Sequence, residues 1–359
     1  MKRILIDIGH PAHVHYFRNF KKIMENKSNI FFVSARNRPM IHYLLKYYNI
    51  PFYNRGKGKN SIIGKILYMF YADFILLKKA LSFKPDIFVS FASPYAAQVA
   101  WLLNRPSIVL DDTEHARYGH LFYKPFSSTC LNPYCFYKKF GQKQVFFNSL
   151  VEYMYLHPKY FKPDKEIYSF LGISPSEKYV ILRFVSWQAN HDIGQSGIDG
   201  QIKLTLIELL KKKFKIFISS EGGFSDSRLS KYAIKIPPEK MHDALYFAEF
   251  FVTESGTMAS EAAILNTPVV YVNSLPLMGY LREEEKVGML FHFTNSDGIP
   301  NKISELMNLK DIKSHFKPSN ERLLEELIDP TAFLVWFIEN YPESVRIMKE
   351  NPVYQDRFK

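Results

Sequence analysis

Short apolar runs alternate along this chain with longer stretches in which apolar positions recur every three or four residues. In the first half, Ile4–Ile8, Ile30–Ser34, Asp86–Phe91, Ser107–Leu110 and Val145–Phe147 read as buried strands, being short, β-branched or aromatic, and bounded by turn residues. Val14–Met24, Met40–Tyr48, Ile62–Leu81 and Tyr95–Leu103 read as helices; Val14, Phe17, Phe20 and Met24 already repeat at helical spacing. A polar stretch from His157 to Lys178 interrupts the pattern, which then restarts. Strands are expected at Val180–Phe184, Ile216–Ser219, Phe250–Thr253 and Val269–Val272, with helices at Ile202–Leu210, Met241–Phe247 and Met258–Leu265. A last helix over Pro330–Lys349, with Phe333, Val335, Trp336 and Ile338, is expected to return across the molecule and brace both halves.

Strictly alternating β and α segments call for parallel sheets with right-handed crossovers. The fold class expected is therefore α/β: two Rossmann-like doubly wound domains facing a central cleft, with a C-terminal helix bridging back. The boundaries expected are 1–165, 166–330 and 331–359. A chain of 359 residues exceeds what one core usually organises, which agrees with two domains. Ligands of such folds bind at the carboxyl ends of the strands.

Composition narrows the class further. Hydrophobic residues at 47% and charged residues at 23% make a globular chain. Two cysteines, Cys130 and Cys135, cannot frame a disulfide scaffold, and no Cys/His spacing resembles a zinc site. The apolar run after Lys2 and Arg3 is too short for a signal peptide, and Lys65 and Asp73 break the longest apolar stretch, so no membrane span is expected. Charge is unevenly spread. Residues 1–150 hold 22 Lys and Arg against 7 Asp and Glu, a net +15 within a chain total of 47 − 35 = +12. The first half is therefore expected to face something anionic. Aromatic and basic residues interleave at Phe122–Phe126 and Tyr134–Phe140, which include Lys138 and Lys139. That mixture suits an anionic membrane surface. Neither a helix-turn-helix nor an RNA-binding aromatic motif appears, so no nucleic-acid partner is expected.

Candidate chemistry clusters where strands end. Phe250–Thr253 runs into Glu254-Ser255-Gly256-Thr257, which opens a helix through Ser260 and Glu261. Backbone N–H groups and hydroxyls at a helix N-terminus form a diphosphate site, and Gly256 allows close approach of an anion. Glu261, one turn further in, is placed to accept ribose hydroxyls. After the first strand, His10 of Gly9-His10-Pro11-Ala12-His13 is a candidate base or phosphate donor; a surface role suits His13 and His15 better. Asp111-Asp112-Thr113-Glu114-His115 follows the Ser107–Leu110 strand, with Asp112, Glu114 and His115 expected as its exposed members. Crowded acids raise one another's pKa toward values useful for proton transfer. No Asp-x-Asp ends a strand, so neither metal nor other cofactor is expected. Arg183 ends the first strand of the second half and suits a diphosphate clamp, with Ser186, His191 and Asp192 in the loop beyond it.

The segment from Ser255 to Ala263, followed by Leu265-Asn266-Thr267-Pro268-Val269, resembles the donor-binding segment of GT-B-type enzymes. It is similar to the non-hydrolysing UDP-GlcNAc 2-epimerases and to the peptidoglycan GlcNAc transferase. With Ile6–His15, Leu110–His115 and Ser186–Asp192, the chain more closely resembles the domain-of-unknown-function 354 family, regarded as GT-B-like. The first loop lacks the Gly-rich stretch of the peptidoglycan enzyme. The resemblance implies a donor domain at 166–330, an acceptor domain at 1–165, and a loop at Ile234–Pro237 in which the Ile236 backbone reads a uracil edge. The expected function is a glycosyltransferase moving a sugar from a nucleotide sugar, UDP-linked by preference, to a surface-glycan or lipid-linked acceptor. It would work in the cytoplasm, peripherally on the inner face of the membrane. The alternatives are a UDP-sugar 2-epimerase and a non-catalytic protein that binds nucleotide sugars or nucleic acid.

Overall fold

The computed structural model describes residues 1–59, 61–185, 197–220 and 226–359, with residues 62 and 63 as backbone only. The first sheet contains β1 (Arg3–Ile8), β2 (Ile30–Ala35), β3 (Tyr53–Asn54), β4 (Ile87–Phe91), β5 (Ser107–Leu110), β6 (Thr129–Pro133) and β7 (Gln144–Phe147), in the order β3-β2-β1-β4-β5-β6-β7. The second contains β8 (Tyr179–Phe184), β9 (Lys215–Ser220), β10 (Phe251–Thr253), β11 (Val269–Val272) and β12 (Leu290–Phe293), in the order β12-β11-β10-β8-β9. All pairings are parallel. In each sheet the chain winds outward from a switch point, between β1 and β4 in the first and between β8 and β10 in the second.

Two units result: Met1–Tyr160 with Leu327–Lys359, and Phe161–Glu326. The helix Pro11–Asn26 buries Val14, Phe17, Phe20 and Met24, the stripe that its spacing predicts. It also buries His15, which stacks on Tyr155 at 5.2 Å, so the surface role expected for His15 is wrong. Alternation missed what was short or polar. Thr129–Pro133, with Asn132 and Pro133, has no continuous apolar run to mark it as a strand, yet the Asn132 amide donates to the Asp111 carbonyl at 2.6 Å and accepts from Gln144 at 3.0 Å. The strands at β3 and β12 and the helices Arg117–Tyr123, Gly279–Lys286, Ile299–Asn308 and Ile312–Leu324 were likewise not anticipated.

The last expected helix is two, Pro330–Glu339 and Glu343–Glu350. Pro342 has no N–H to donate and disfavours helical backbone at the residue before it, so the helix ends there. The returning segment is stitched into the first unit. Ser149 Oγ donates to the Ile328 carbonyl at 2.9 Å, Thr331 Oγ1 to that of Met154 at 2.8 Å, and Gln355 accepts from the Asn148 N–H at 2.7 Å. Phe333 stacks on Phe147 with centroids 6.1 Å apart and meets Trp336, Phe337 and Phe358. Among the described residues no helix is long and apolar enough to cross a membrane.

Because Phe333 fills this seam, Phe333→Ala should destabilise the protein by about 3–5 kcal/mol, the usual scale for emptying a buried aromatic site. Denaturant titration checks this; a loss under about 1 kcal/mol would mean the returning segment is only loosely packed.

Candidate functional site

The switch point of the first sheet is held by a buried ion pair. Asp7, fully enclosed near the end of β1, accepts from Arg55 Nε at 2.8 Å and Nη2 at 3.2 Å, and from Ser93 Oγ at 2.6 Å. Arg55 also donates to the Tyr68 hydroxyl at 2.8 Å and lies over the Tyr95 ring at 4.3 Å. Its donors are thus spent inside the unit, and the pair orients the loop that follows. In that loop His10 caps the first helix: its Nδ1 accepts the Ala12 N–H at 3.3 Å. The neutral ring therefore carries its proton on Nε2, and His10 is exposed. His13 Nδ1 accepts the Gly9 N–H at 3.3 Å, and the ring lies 4.9 Å from Phe91. Burial, aided by the nearby His10 and Arg55, lowers its pKa well below 6.5, so His13 is a neutral structural group rather than a surface one. Asp73 is pushed up to about 7 by burial.

The acid cluster after β5 is not the exposed patch that its composition suggests. Asp112 is 7% exposed and Glu114 only 1%, because the turn folds back beneath Tyr137, whose N–H donates to Glu114 at 3.3 Å. His115 is half-buried. Asp111 is locked by the Thr113 N–H at 2.9 Å, the Tyr123 hydroxyl and His120 Nε2 at 3.0 Å. Asp112 accepts from Thr113 Oγ1 at 2.9 Å, while burial and the neighbouring Asp111 push its pKa up to about 8. A carboxyl in that range exchanges a proton near neutral pH. His120 and Tyr123, the residues that position the cluster, were missed; the three-residue spacing that sets both on one face of the helix Arg117–Tyr123 is the signal that was available.

In the second unit, register places His292, Tyr271, Thr253, Arg183 and Ser219 in one row across the carboxyl end of the sheet. Arg183 donates to Ser219 Oγ at 2.5 Å. Glu254 accepts the N–H groups of Val185 at 2.8 Å and Ile198 at 2.7 Å, fixing the turn after β10. The helix Gly256–Ile264 then starts with Ser255 at its N-cap, whose side chain makes no capping bond. The Ser255 hydroxyl is thus not spent on closing the helix end, where backbone N–H groups without an intrahelical acceptor can meet an anion. A Cβ on Gly256 would come within 3.2 Å of Met278 Cε and of the Tyr280 hydroxyl, and within 3.4 Å of the Tyr271 hydroxyl. Two phenols thus stand beside the helix terminus: Tyr271 from the strand expected at Val269–Val272, and Tyr280 from the helix Gly279–Lys286, which sequence reasoning passed over.

Two expected ligand contacts are engaged elsewhere. Ser260, fully buried, donates to Glu284, whose pKa burial pushes up to about 8, so Ser260 is a packing residue rather than a ligand-facing one. Glu261 is 6% exposed and 3.1 Å from His242 Nε2. Ile236 is buried beside β9, in the loop that follows the Ile218–Ala233 bridge. Ser186, His191 and Asp192 lie outside the described residues. Among the described residues no group of three or more His, Cys, Asp or Glu is arranged to hold a metal.

Two parallel, doubly wound sheets, each with polar groups gathered at its switch point, define an α/β protein of the GT-B type. Residues 2–341 match the family described as "Protein of unknown function (DUF354)", and the chain belongs to that family. The uncharacterized protein MJ0665 of Methanocaldococcus jannaschii is 26% identical over 300 residues, 79% of this chain and 86% of its own. Among solved structures, S. aureus MnaA with UDP superposes with a TM-score of 0.68 at 14% identity, covering 96% of this chain and 98% of that one. The M. jannaschii UDP-GlcNAc 2-epimerase, in complex with UDP-GlcNAc and UDP, gives 0.63 at 16% identity over 90% and 98%. The spinosyn rhamnosyltransferase SpnG with its aglycone gives 0.60 at 12% over 95% and 100%. At such identities these likenesses show the fold.

The raised pKa of Asp112 sets a stability prediction with a definite sign. The folded chain keeps this proton up to about pH 8, whereas the unfolded chain releases it near 3.8, so stability falls as pH rises between the two. Asp112→Asn removes that dependence. Thermal melts should show the variant gaining on the wild type from pH 5 to pH 8; an equal difference at both would place the proton elsewhere.

Proposed function

We propose that the protein transfers a sugar from a nucleotide-sugar donor, UDP-linked by preference, to a surface-glycan or lipid-linked acceptor. The reading includes no metal or other cofactor and places the protein in the cytoplasm, peripherally against the inner face of the membrane. Its main support is the turn after β10: a helix N-terminus without a side-chain cap, a glycine at its first position, and the hydroxyls of Tyr271 and Tyr280 beside it. In this reading the donor's diphosphate takes the N–H groups that follow Ser255, with Gly256 and Thr257 at the point of closest approach. Arg183 offsets the charge that grows on the leaving diphosphate. Glu261 accepts ribose hydroxyls while His242 holds its carboxylate in place, and the loop around Ile236 meets the base.

The acceptor half of the reading rests on the first unit. Asp112 takes the proton of the attacking hydroxyl as the sugar bond forms. His10 donates from Nε2 to an oxygen of donor or acceptor, and Glu114 and His115 complete the wall around Asp112. The helix Ile62–Phe83 turns Leu67, Phe70, Tyr71 and Phe74 outward, with Phe70 and Phe74 each 64% exposed. An enzyme acting on a soluble sugar nucleotide alone has no need of such a strip, whereas a lipid-linked acceptor gives it a surface to lie on. The epimerase reading has the UDP-GlcNAc-bound fold relative behind it. Turnover of UDP-GlcNAc with no acceptor present would favour it.

UDP at about a hundred times its Kd should add about 2.7 kcal/mol of stability. A panel of UDP, GDP, CDP and dTDP compounds that leaves the melting temperature unmoved would remove the reading. Glu261→Gln, which can still pair with His242, should weaken UDP about tenfold or more, the scale of a charged hydrogen bond. Asp112→Asn should cut turnover about a hundredfold with UDP affinity intact. Wild-type turnover should climb until about pH 8 as the Asp112 carboxylate forms. A plateau already reached near pH 6.5, the ordinary histidine value, would move the base to His10.

A further inference from the structure

On the first unit lies an open hollow of about 780 Å3. Its lining includes Arg117, Lys124, Lys138, Lys139 and Lys143, and no carboxylate. Natural surfaces usually intersperse the two signs of charge, and this chain does so elsewhere: Lys21 with Glu25, Lys211 with Glu208 and Arg346 with Glu343 are neighbouring ion pairs. Among the described residues none of the five cations in the hollow forms an ion pair. They are nevertheless positioned. Lys143 Nζ donates to the Pro125 carbonyl at 2.7 Å, Lys124 Nζ lies 4.8 Å from the Phe140 ring centre and Lys138 Nζ 5.8 Å from that of Tyr137. His120 also lines the hollow, but its Nε2 faces Asp111 at 3.0 Å, so it is a wall rather than a ligand donor. Like charges gathered around one concavity repel, and the field they focus there is relieved by a compact polyanion.

We propose that this hollow is a second anion site that takes a phosphoryl group, either a phosphomonoester or a diphosphate. The five cations supply charge-assisted donors, and Phe140 with the stems of the lysines forms an apolar floor. Leu121, 67% exposed, also lines it. The same chemistry is offered by a phospholipid headgroup at a bilayer surface and by a soluble phosphate ester. The site does not depend on the donor reading, since its residues are distinct from those around Gly256.

The test uses the full chain. Inorganic pyrophosphate, titrated calorimetrically in the presence of saturating UDP, should bind and saturate. The Lys138→Gln/Lys139→Gln double variant should weaken it about tenfold or more, and Lys138→Arg/Lys139→Arg should restore it. A parallel arm measures sedimentation with phosphatidylcholine vesicles with and without phosphatidic acid. Preference for the acidic vesicles, lost in the Gln pair and kept in the Arg pair, assigns the phosphoryl group to a lipid; pyrophosphate binding without that preference assigns it to a soluble ester. Pyrophosphate and vesicle binding that are absent in the wild type, or equal in wild type and Gln pair, would overturn the proposal. Failure of UDP itself to bind would count against the donor reading alone, because the Lys variants still locate any pyrophosphate bound.

Discussion

Because every strand in each sheet runs in one direction, the turns leaving the carboxyl ends emerge along a single edge of their own sheet. This directional constraint decides where chemistry can be built. At each switch point neighbouring strands send their helices to opposite faces, and the backbone between them leaves a crevice. In the first unit that crevice opens after Ile8. In the second it opens between Phe184 and Thr253. Short turns holding Gly9-His10 and Ser255-Gly256 sit there because helix starts and strand ends meet.

Holding such turns still requires polar groups inside the units, and these are satisfied at short range. Asp7 is bound by Arg55 and Ser93; Asp111 by Tyr123, His120 and a backbone N–H; Glu254 by two backbone N–H groups from separate segments. None of the three carboxylates is the one best suited to chemistry. Their bonds are used up in orientation, and a buried pair is worth most where its loss would leave a naked charge. Asp112 differs: it follows Asp111 in the chain, and burial beside that neighbour makes it the acid that gives up its preference for charge. The contrast is between supports and the group that they support.

How much of this is legible in the sequence depends on what carries it. The doubly wound class follows from β-branched runs such as Ile4–Ile8 and Val269–Val272, whose apolar continuity marks strands covered on both faces. Places where the turn chemistry lies also follow, since strand ends are visible as the apolar run stops. Side-chain direction is another matter. Ser260 and Glu261 are adjacent in a helix that looks like a ligand-binding segment, yet one is tied to Glu284 and the other to His242, partners twenty or so positions away that no local pattern reveals. Likewise Arg55 stands in a polar stretch between elements and appears exposed, until Asp7 and Tyr95 enclose it. Exposure is a property of the assembled unit, and acidic composition at Asp111–Glu114 misleads for that reason.

The return of Leu327–Lys359 to the first unit has a consequence for the order in which the molecule is made. A ribosome delivers residues 1–160 early, with Phe147, Ser149 and Met154 still lacking the side chains and carbonyls that later cover or engage them. Residues 161–326 form a unit of their own and can settle as soon as they emerge, so the second unit is complete while the first still waits. The unit begun first is therefore finished last. Until its closing segment arrives, the nascent chain presents an open apolar seam, which is where a chaperone would hold it.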